Sequence, residues 1–413
     1  MDSSAGLDVS GSAAGSGWPR LDYEELLWTP SDLPDPGTSH RARQREIEEL
    51  TGPYLAAVPP RIARATYMTS TETAIAASEA ENEISRFDVE MGGEIAPFSS
   101  ILLRTEAAAS SQIENLSSSA KAIELALLGD DSRGNAKLIA RNAVAMQSAV
   151  DLSNNLDPDT ILEMHRALLG DVEPAIAGRW RDCQVWIGTS SRTPVGADFV
   201  APHYERVPDA IDDLVEYFRR DDVPILQQAA IAHAQFETIH PFPDGNGRTG
   251  RALIHAALRK KGLTRNVTVP VSAGLLTDVH GYHQALTAYR EGNPDEIVKL
   301  SAHASLLAIE NGRQLVTELR DVRADWVQRI SARSDSAVWK IADLAIRHPV
   351  LTTRSLESDL GIPVKNATRY LNPLEDLGVL RKAKLTKRDH YWAAHDVLAA
   401  LDRFAERAGR RRS

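Results

Sequence analysis

Twelve consecutive residues hold the densest chemistry in this 413-residue chain: His240-Pro241-Phe242-Pro243-Asp244-Gly245-Asn246-Gly247-Arg248-Thr249-Gly250-Arg251. The prolines and glycines around the histidine and aspartate interrupt regular helix and predict a sharp loop. A helix is expected from near Gly247 through Leu253, Ile254, Ala257 and Leu258, until Gly262 stops it. Glycines at a helix start let backbone N–H groups converge on an anion, and the helix dipole adds to that attraction. Arg248 and Arg251 are three residues apart, so they share a helix face, each with a planar donor fork suited to phosphate oxygens. Asp244 is a candidate ligand for Mg²⁺, which binds few protein carboxylates and takes its other ligands from phosphates and water. His240 carries the side chain whose ordinary pKa suits proton abstraction near neutral pH. A base, a metal ligand and a phosphate cradle this close together point to nucleotide chemistry.

Competing readings are weaker. Gly245 to Gly250 spells G-x-G-x-x-G, but no strand-like segment precedes it and no acidic residue lies near position 270, which disfavours a dinucleotide fold. His203, His233, His240 and His255 match no common metal-ligand spacing, and His233 at helical spacing reads as structural. A purely structural loop leaves two arginines and a histidine beside glycines without a purpose.

The surrounding elements read as mostly helical. From Arg41 onward Ala, Leu, Glu and Arg dominate, and Ile225, Ala229, Ala232, Phe236 and Ile239 fall on one face of a helix that ends at the loop. Strand-like alternation is confined to Gln184-Val185-Trp186-Ile187-Gly188 and Phe199-Val200, with a polar Gly/Pro/Ser stretch between them, which predicts a short β-hairpin or flap. Residues 1–40 are rich in Ser, Gly, Asp and Pro and are expected to lack a fixed fold beyond anchors such as Trp18 and Trp28. Near Ser334 and Asp335 the chain changes character. Residues 337–347 are amphipathic, followed by Thr352 to Leu360, a turn at Gly361-Ile362-Pro363-Val364, a helix from Lys365 to about Leu377, and two short strands between Val379 and Trp392. That is the order of a winged helix-turn-helix. The expected division is a flexible segment 1–40, an N-terminal helical region 41–135, a core 136–310, a linker helix 311–334 and a winged-helix unit 335–413.

A length of 413 residues predicts two to three domains at about 150 residues each. No apolar run approaches the roughly 18–20 residues that cross a bilayer, and the first residues show no basic cluster followed by an apolar core. The single cysteine, Cys183, excludes an internal disulfide and multi-cysteine metal sites; it reads as a small, at least half-buried residue. A cytoplasmic protein with no membrane partner is the expectation. The net charge of −10 hides an asymmetry, because residues 365–413 hold 12 Lys/Arg against 6 Asp/Glu. An acidic body with a basic tail suggests two jobs on one chain.

Residues 240–251 resemble the Fic family at every defined position of its signature, HPF-x-[D/E]-GNGR-x-x-R. The similarity extends over roughly 40–310, where GRWRDCQVWIG (178–188) is similar to the approach to the family's flap. The resemblance implies a helical bundle with a β-hairpin flap, and transfer of AMP from ATP to a Ser, Thr or Tyr hydroxyl of a protein, with auto-modification. By the same resemblance His240 is the base and Asp244 holds Mg²⁺. Gly245, Asn246, Gly247, Arg248, Thr249, Gly250 and Arg251 bind ATP phosphates, Phe242 pins the loop, and Val185, Trp186 and Ile187 form the flap that aligns the target. The adenine pocket would be completed at Tyr282 and His283, one aromatic short of the family's usual pair. Ser110 to Asn115 fits the family's inhibitory pattern [S/T]-x-x-x-E-[G/N], so Glu114 is expected to pair with Arg251 and take the fork needed by the γ-phosphate. Removal of AMP, transfer of another phosphoryl-linked group, and a nucleotide-sensing DNA-binding regulator stay open as alternatives, as does a homodimer. In the tail, Lys365, Asn366, Arg369 and Tyr370 are groove-facing candidates for DNA, with Lys382, Lys384, Lys387 and Arg388 near its phosphates. Against DNA, that helix ends in Glu375 and Asp376.

Overall fold

The computed structural model describes residues 17–30, 40–92, 98–130, 132, 134–188, 190–333, 336–385 and 389–409. Strands β1 (Asp22–Trp28) and β2 (Gly52–Val58) flank helix α1 (His40–Leu50) and pair antiparallel, Asp22 opposite Val58 and Trp28 opposite Gly52. The expectation that 1–40 lacks a fixed fold therefore fails for 17–30, while 1–16 and 31–39 lie outside the described residues. The reason is tertiary. Trp18 is 4% exposed and meets Tyr67, Tyr217 and Tyr289 at ring-centroid distances of 6.0, 6.4 and 6.0 Å. A buried indole contributes far more than its share of composition.

The body continues with α2 (Thr71–Gly92), α3 (Phe98–Ile113), α4 (Ala120–Leu127), α5 (Gly134–Asp151) and α6 (Pro158–Leu169). Strands β3 (Trp186–Ile187) and β4 (Phe199–Val200) form the expected antiparallel hairpin, with Val185 just before it. It is braced from outside by the N-terminal strands, where Trp28 packs edge-on against Trp186 at 5.3 Å. Next come α7 (Val207–Phe218), α8 (Ile225–Ile239), α9 (Asn246–Lys260), α10 (Val271–Leu275), α11 (Val279–Arg290) and α12 (Asp295–Arg329).

Helix α8 is not one-faced as its spacing predicts: every residue from Leu226 to Ile239 is buried. It is packed among α2, α7, α9, α11 and α12. A helix enclosed on all sides sends its polar side chains into the protein, so His233 and Glu237 must be accommodated there. Helix α12 has 35 residues, a span of about 50 Å. The separate linker helix expected at 311–334 is instead the second half of α12, which buries Leu315, Val316, Leu319 and Trp326; 334 and 335 lie outside the described residues.

Beyond it come α13 (Ala337–Arg347), β5 (Val350–Leu351), α14 (Thr353–Leu360), α15 (Val364–Asp376), β6 (Arg381–Lys384) and β7 (His390–Ala393). The strands form an antiparallel sheet in the order β5-β7-β6. Thr352 caps α14 in a reciprocal pair with Ser355, and Gly361 ends it at φ +65°, a left-handed value that glycine adopts at little cost. A last helix, α16 (His395–Arg407), which the sequence reading did not foresee, packs on α3, α4 and α12. Arg104 of α3 donates to the Arg347 carbonyl and pairs at 2.8 Å with the buried Glu124 of α4, while Asp402 of α16 accepts from Ala120 N at 3.2 Å. The C-terminal unit is thus docked on α3 and α4, and its apolar residues join the main core. No described helix is long and apolar enough to cross a membrane. Cys183 is exposed rather than half-buried, because it sits in the loop leading to the flap.

Candidate active site

The loop between α8 and α9 is built around one reversal. His240 caps α8 in the left-handed region, φ 50° and ψ 60°, with its N–H donating to Phe236 O at 2.9 Å. Such a backbone is uncommon for a residue with a Cβ, and it turns the imidazole out of the helix. Phe242 anchors the far side: fully buried, it stacks on His165 with ring centroids 3.7 Å apart and on Trp180 at 5.1 Å. Phe242→Ala is expected to cost about 3–5 kcal/mol of stability, read as a lower midpoint in urea unfolding. A midpoint equal to the parent's would mean that the ring does not hold the loop.

Two side chains that the sequence reading left without a role hold this loop. His165 on α6 pairs through Nε2 with Asp244 O at 2.9 Å and accepts through Nδ1 from Gly178 N at 2.9 Å. Burial lowers its pKa to about 4, so the ring is neutral, and the Gly178 contact assigns its proton to Nε2. Arg181 donates from Nε to His240 O at 2.8 Å, and from its other nitrogens to Cys183 O and Pro202 O. It therefore ties the turn at His240 to both arms of the flap. Arg181 lies within the quoted GRWRDCQVWIG, but its partners are distant in sequence and cannot be read from that stretch.

Helix α9 starts at the loop's end, where Gly245 takes φ +80°. Arg248 donates to Asp244 Oδ2 at 3.0 Å, while its Nε and Nη1 are buried without a partner among the described residues. Arg251 is buried, and its fork reaches Ser110 Oγ at 2.9 Å, Ser110 O at 2.8 Å and Glu114 Oε1 at 2.8 Å. Glu114 follows α3 directly, and Asn115 turns the chain with φ 61°. The Glu114 carboxylate lies against the first turn of α9, since a Cβ at Gly247 would stand 2.1 Å from Oε1. That is the anion position created by the helix N-terminus. Burial opposes its charge, but Arg251 above all, then Arg248 and His240, hold its pKa below the ordinary carboxylate value. Arg251 is raised in turn: burial opposes its charge, but Glu114, Tyr282 and Glu237 together outweigh that cost.

Of the residues expected at the phosphates, Asn246 lines the cavity but spends its side chain on the loop, while Thr249 and Gly250 do not line it. Asn246 accepts from Phe242 N at 2.9 Å and donates to Phe242 O at 2.8 Å, so its amide braces the loop. Thr249 is buried and turned away from the cavity. Gly250 serves close helix packing, because a Cβ there would meet Glu237 Oε1 at 2.7 Å and Phe236 at 3.0 Å. Gly250 faces α8, whereas Gly247, Arg248 and Arg251 line the open side.

That open side is a cavity of about 680 Å³ lined by Glu114, Ile187, Asp244, His240, Arg248 and Arg251, with Gly245 and Gly247 at its floor. Tyr282 and His283 lie on its α11 wall; the Tyr282 hydroxyl meets His233 Nε2 at 2.8 Å, which makes His233 a structural partner rather than a metal ligand. His255 is likewise occupied, at 2.8 Å from Glu106 Oε1. Among the described residues no group of three or more His, Cys, Asp or Glu could hold a metal alone. Burial lowers the His240 pKa to about 4, so its imidazole is neutral and able to accept a proton. Ile187 at the flap is half exposed and faces the same space.

Residues 155–258, which contain this loop and all but the last two residues of α9, match the Fic/DOC family. They are a Fic domain. Over 104 residues the chain is 42% identical to Protein adenylyltransferase fic-1 of Caenorhabditis elegans, a stretch covering 25% of this chain and 19% of that protein. Over 164 residues it is 29% identical to Protein adenylyltransferase Fic of Nematostella vectensis, covering 39% and 35% respectively. The matched stretches therefore span less than half the length of these relatives. Among solved structures, a Fic family protein from Desulfovibrio desulfuricans G20 shares the fold at a TM-score of 0.51 and 21% identity, over 79% of this chain and 97% of that one. Glu114 and Ser110 lie upstream of the matched Fic domain, and the fold brings them onto Arg251.

Proposed function

We propose that this chain is a protein adenylyltransferase that transfers AMP from ATP to a Ser, Thr or Tyr hydroxyl of a protein, itself included, and that Glu114 holds it off. The relatives, which are protein adenylyltransferases by name, support the reaction class. The observation that carries the regulation is the 2.8 Å contact of Glu114 with Arg251, in the cavity that also holds the neutral His240. In this reading the acceptor oxygen attacks the α-phosphorus, its proton passes to His240, and pyrophosphate leaves. Arg248, Arg251 and the N–H groups at the start of α9 orient the phosphates. One carboxylate, Asp244, at the mouth of a phosphate cradle suits Mg²⁺, which would offset charge on the phosphates. Tyr282 borders the site of the base. The flap residues Val185, Trp186 and Ile187 would pair with the extended target segment. The test is labelling of the protein and of lysate proteins by ATP marked at the α-phosphate. Label carried into protein by Glu114→Gly but not by the same variant with His240→Ala supports the reading; ATP binding without transfer in both overturns it.

A second activity concerns the C-terminal unit. Lys365, Asn366 and Arg369 are exposed on α15, and Lys382 and Lys384 on β6, which favours a nucleic-acid partner; Lys387, Arg388 and Arg410 to Arg412 lie outside the described residues. Binding of duplex DNA should then fall steeply with salt, by about 10³-fold or more between 50 and 200 mM if some six phosphates are contacted. Filter binding across that series decides it, and no retained DNA at low salt removes the reading.

A further inference from the structure

One acidic side chain at the site has no role in the reaction described so far. Glu237 lies one turn before His240 on α8, is buried, and lines the cavity. Its Oε2 is 3.9 Å from His240 Nδ1, and its Oε1 is buried without a hydrogen-bond partner among the described residues. The missing side chain of Gly250 makes room for that oxygen. Buried carboxylate oxygens are normally bonded, and one kept open beside a proton-accepting ring calls for a reason.

We propose, on the basis of the AMP transfer described above, that Glu237 is the positioning residue of the base: it holds the His240 ring through Nδ1 and offsets the charge the ring acquires. As the acceptor oxygen forms its bond to the α-phosphorus, its proton passes to His240 Nε2. The bond from phosphorus to the pyrophosphate oxygen breaks, and pyrophosphate keeps that electron pair. The imidazolium so formed needs an anion on its other nitrogen. In the resting structure Nδ1 is 3.3 Å from the backbone carbonyl of Glu237, a long contact. A shift of about 1 Å brings the carboxylate into hydrogen-bond range, and such bonds commonly tighten only in the reacting complex.

The surroundings set when Glu237 is ionised. Burial pushes its carboxyl up to about 7, Glu114 adds to that, and Arg251 and Arg290 oppose it. Tyr282 lines the same cavity from α11 with its hydroxyl on His233 of α8, and Arg181 holds the His240 carbonyl from the flap side. As pH rises through the carboxyl's pKa the group becomes anionic, so support for the base appears on the alkaline side. Loss of Glu114 removes a like charge and moves that midpoint downward.

In the Glu114→Gly background, Glu237→Gln should lower kcat about 10-fold or more, leave the ATP dissociation constant within about 3-fold, and flatten the rise of kcat with pH. Glu237→Asp should keep part of the rate and retain the rise. Independently of transfer, the His240 ring carbon signal in a protein labelled at histidine should show an inflection near pH 7 that is absent in Glu237→Gln. Unchanged kcat in Glu237→Gln, or a pH rise and an inflection that persist in it, overturns the proposal. If no variant transfers AMP while the inflection appears in the parent and vanishes in Glu237→Gln, the pairing stands and the transfer reading falls.

Discussion

Glu114→Gly is expected to raise AMP incorporation from ATP by about 10- to 100-fold. The size follows from what the carboxylate occupies. Glu114 takes Arg251 Nη2 at 2.8 Å and lies on the first turn of α9, so it holds both a guanidinium donor and the helix N-terminus that phosphate would use. A hydrogen bond to a charged group contributes about 1.5–3 kcal/mol, which corresponds to that range of rate if productive ATP must displace it. Arg251 is not left disordered by the change, because Ser110 still accepts from its Nε and Nη2. Self-labelling measured side by side decides the matter, and equal incorporation would remove Glu114 from regulation. Acid does not substitute for the mutation near neutrality. A depressed carboxyl pKa means that the pair is intact above the ordinary value and is lost only as pH falls through the depressed one. The parent should therefore stay inhibited from pH 6 to 8.

In that activated background His240→Ala should lower transfer by about 10²- to 10⁴-fold, the span for loss of a positioned general base. ATP binding should survive, because the groups proposed to hold the phosphates belong to α9 and the loop amides, with Arg181 and His165 still bracing the turn. Burial keeps His240 unprotonated down to about pH 4, so the neutral base is present throughout the physiological range. Calorimetric ATP titration beside the transfer assay separates the two effects. Transfer that continues at the parent rate would exclude His240 as base.

How much of this was legible in the sequence depended on chain distance. The loop at 240–245 and α9 are contiguous, so spacing alone located the turn, the helix start and the two arginine forks. The flap hairpin was visible because two β-prone runs stand near each other. The strands β1 and β2 were not, since 23 residues separate Trp28 from Gly52 in sequence and the pair is stabilised by Trp18 packing on residues of α7 and α11. The linker expected before the C-terminal unit was an error of the same kind. Nothing local ends α12 before Arg329, and its second half is buried through contacts with distant helices.

The side chains that differ from expectation show where local reasoning stops. Asn246 belongs to the motif, yet its amide closes on the Phe242 backbone, and Gly250 makes room for Glu237 rather than for phosphate. The first is a choice of partner within the loop itself, and the second follows from the close packing of α9 on α8, which no spacing rule contains.

By itself the sequence determined a mainly helical body, a cationic turn at a helix start, and a histidine at its edge, because these depend on neighbours within one or two turns. Only the tertiary structure decided which groups face the cavity. It brought Glu114 across 137 residues onto Arg251, enclosed α8 so that Glu237 is buried beside His240, and seated the C-terminal unit on the helix that precedes Glu114. The physical reason is that periodicity specifies which face of a helix is apolar, whereas the partner of a buried charge is specified by the packing of helices from distant parts of the chain.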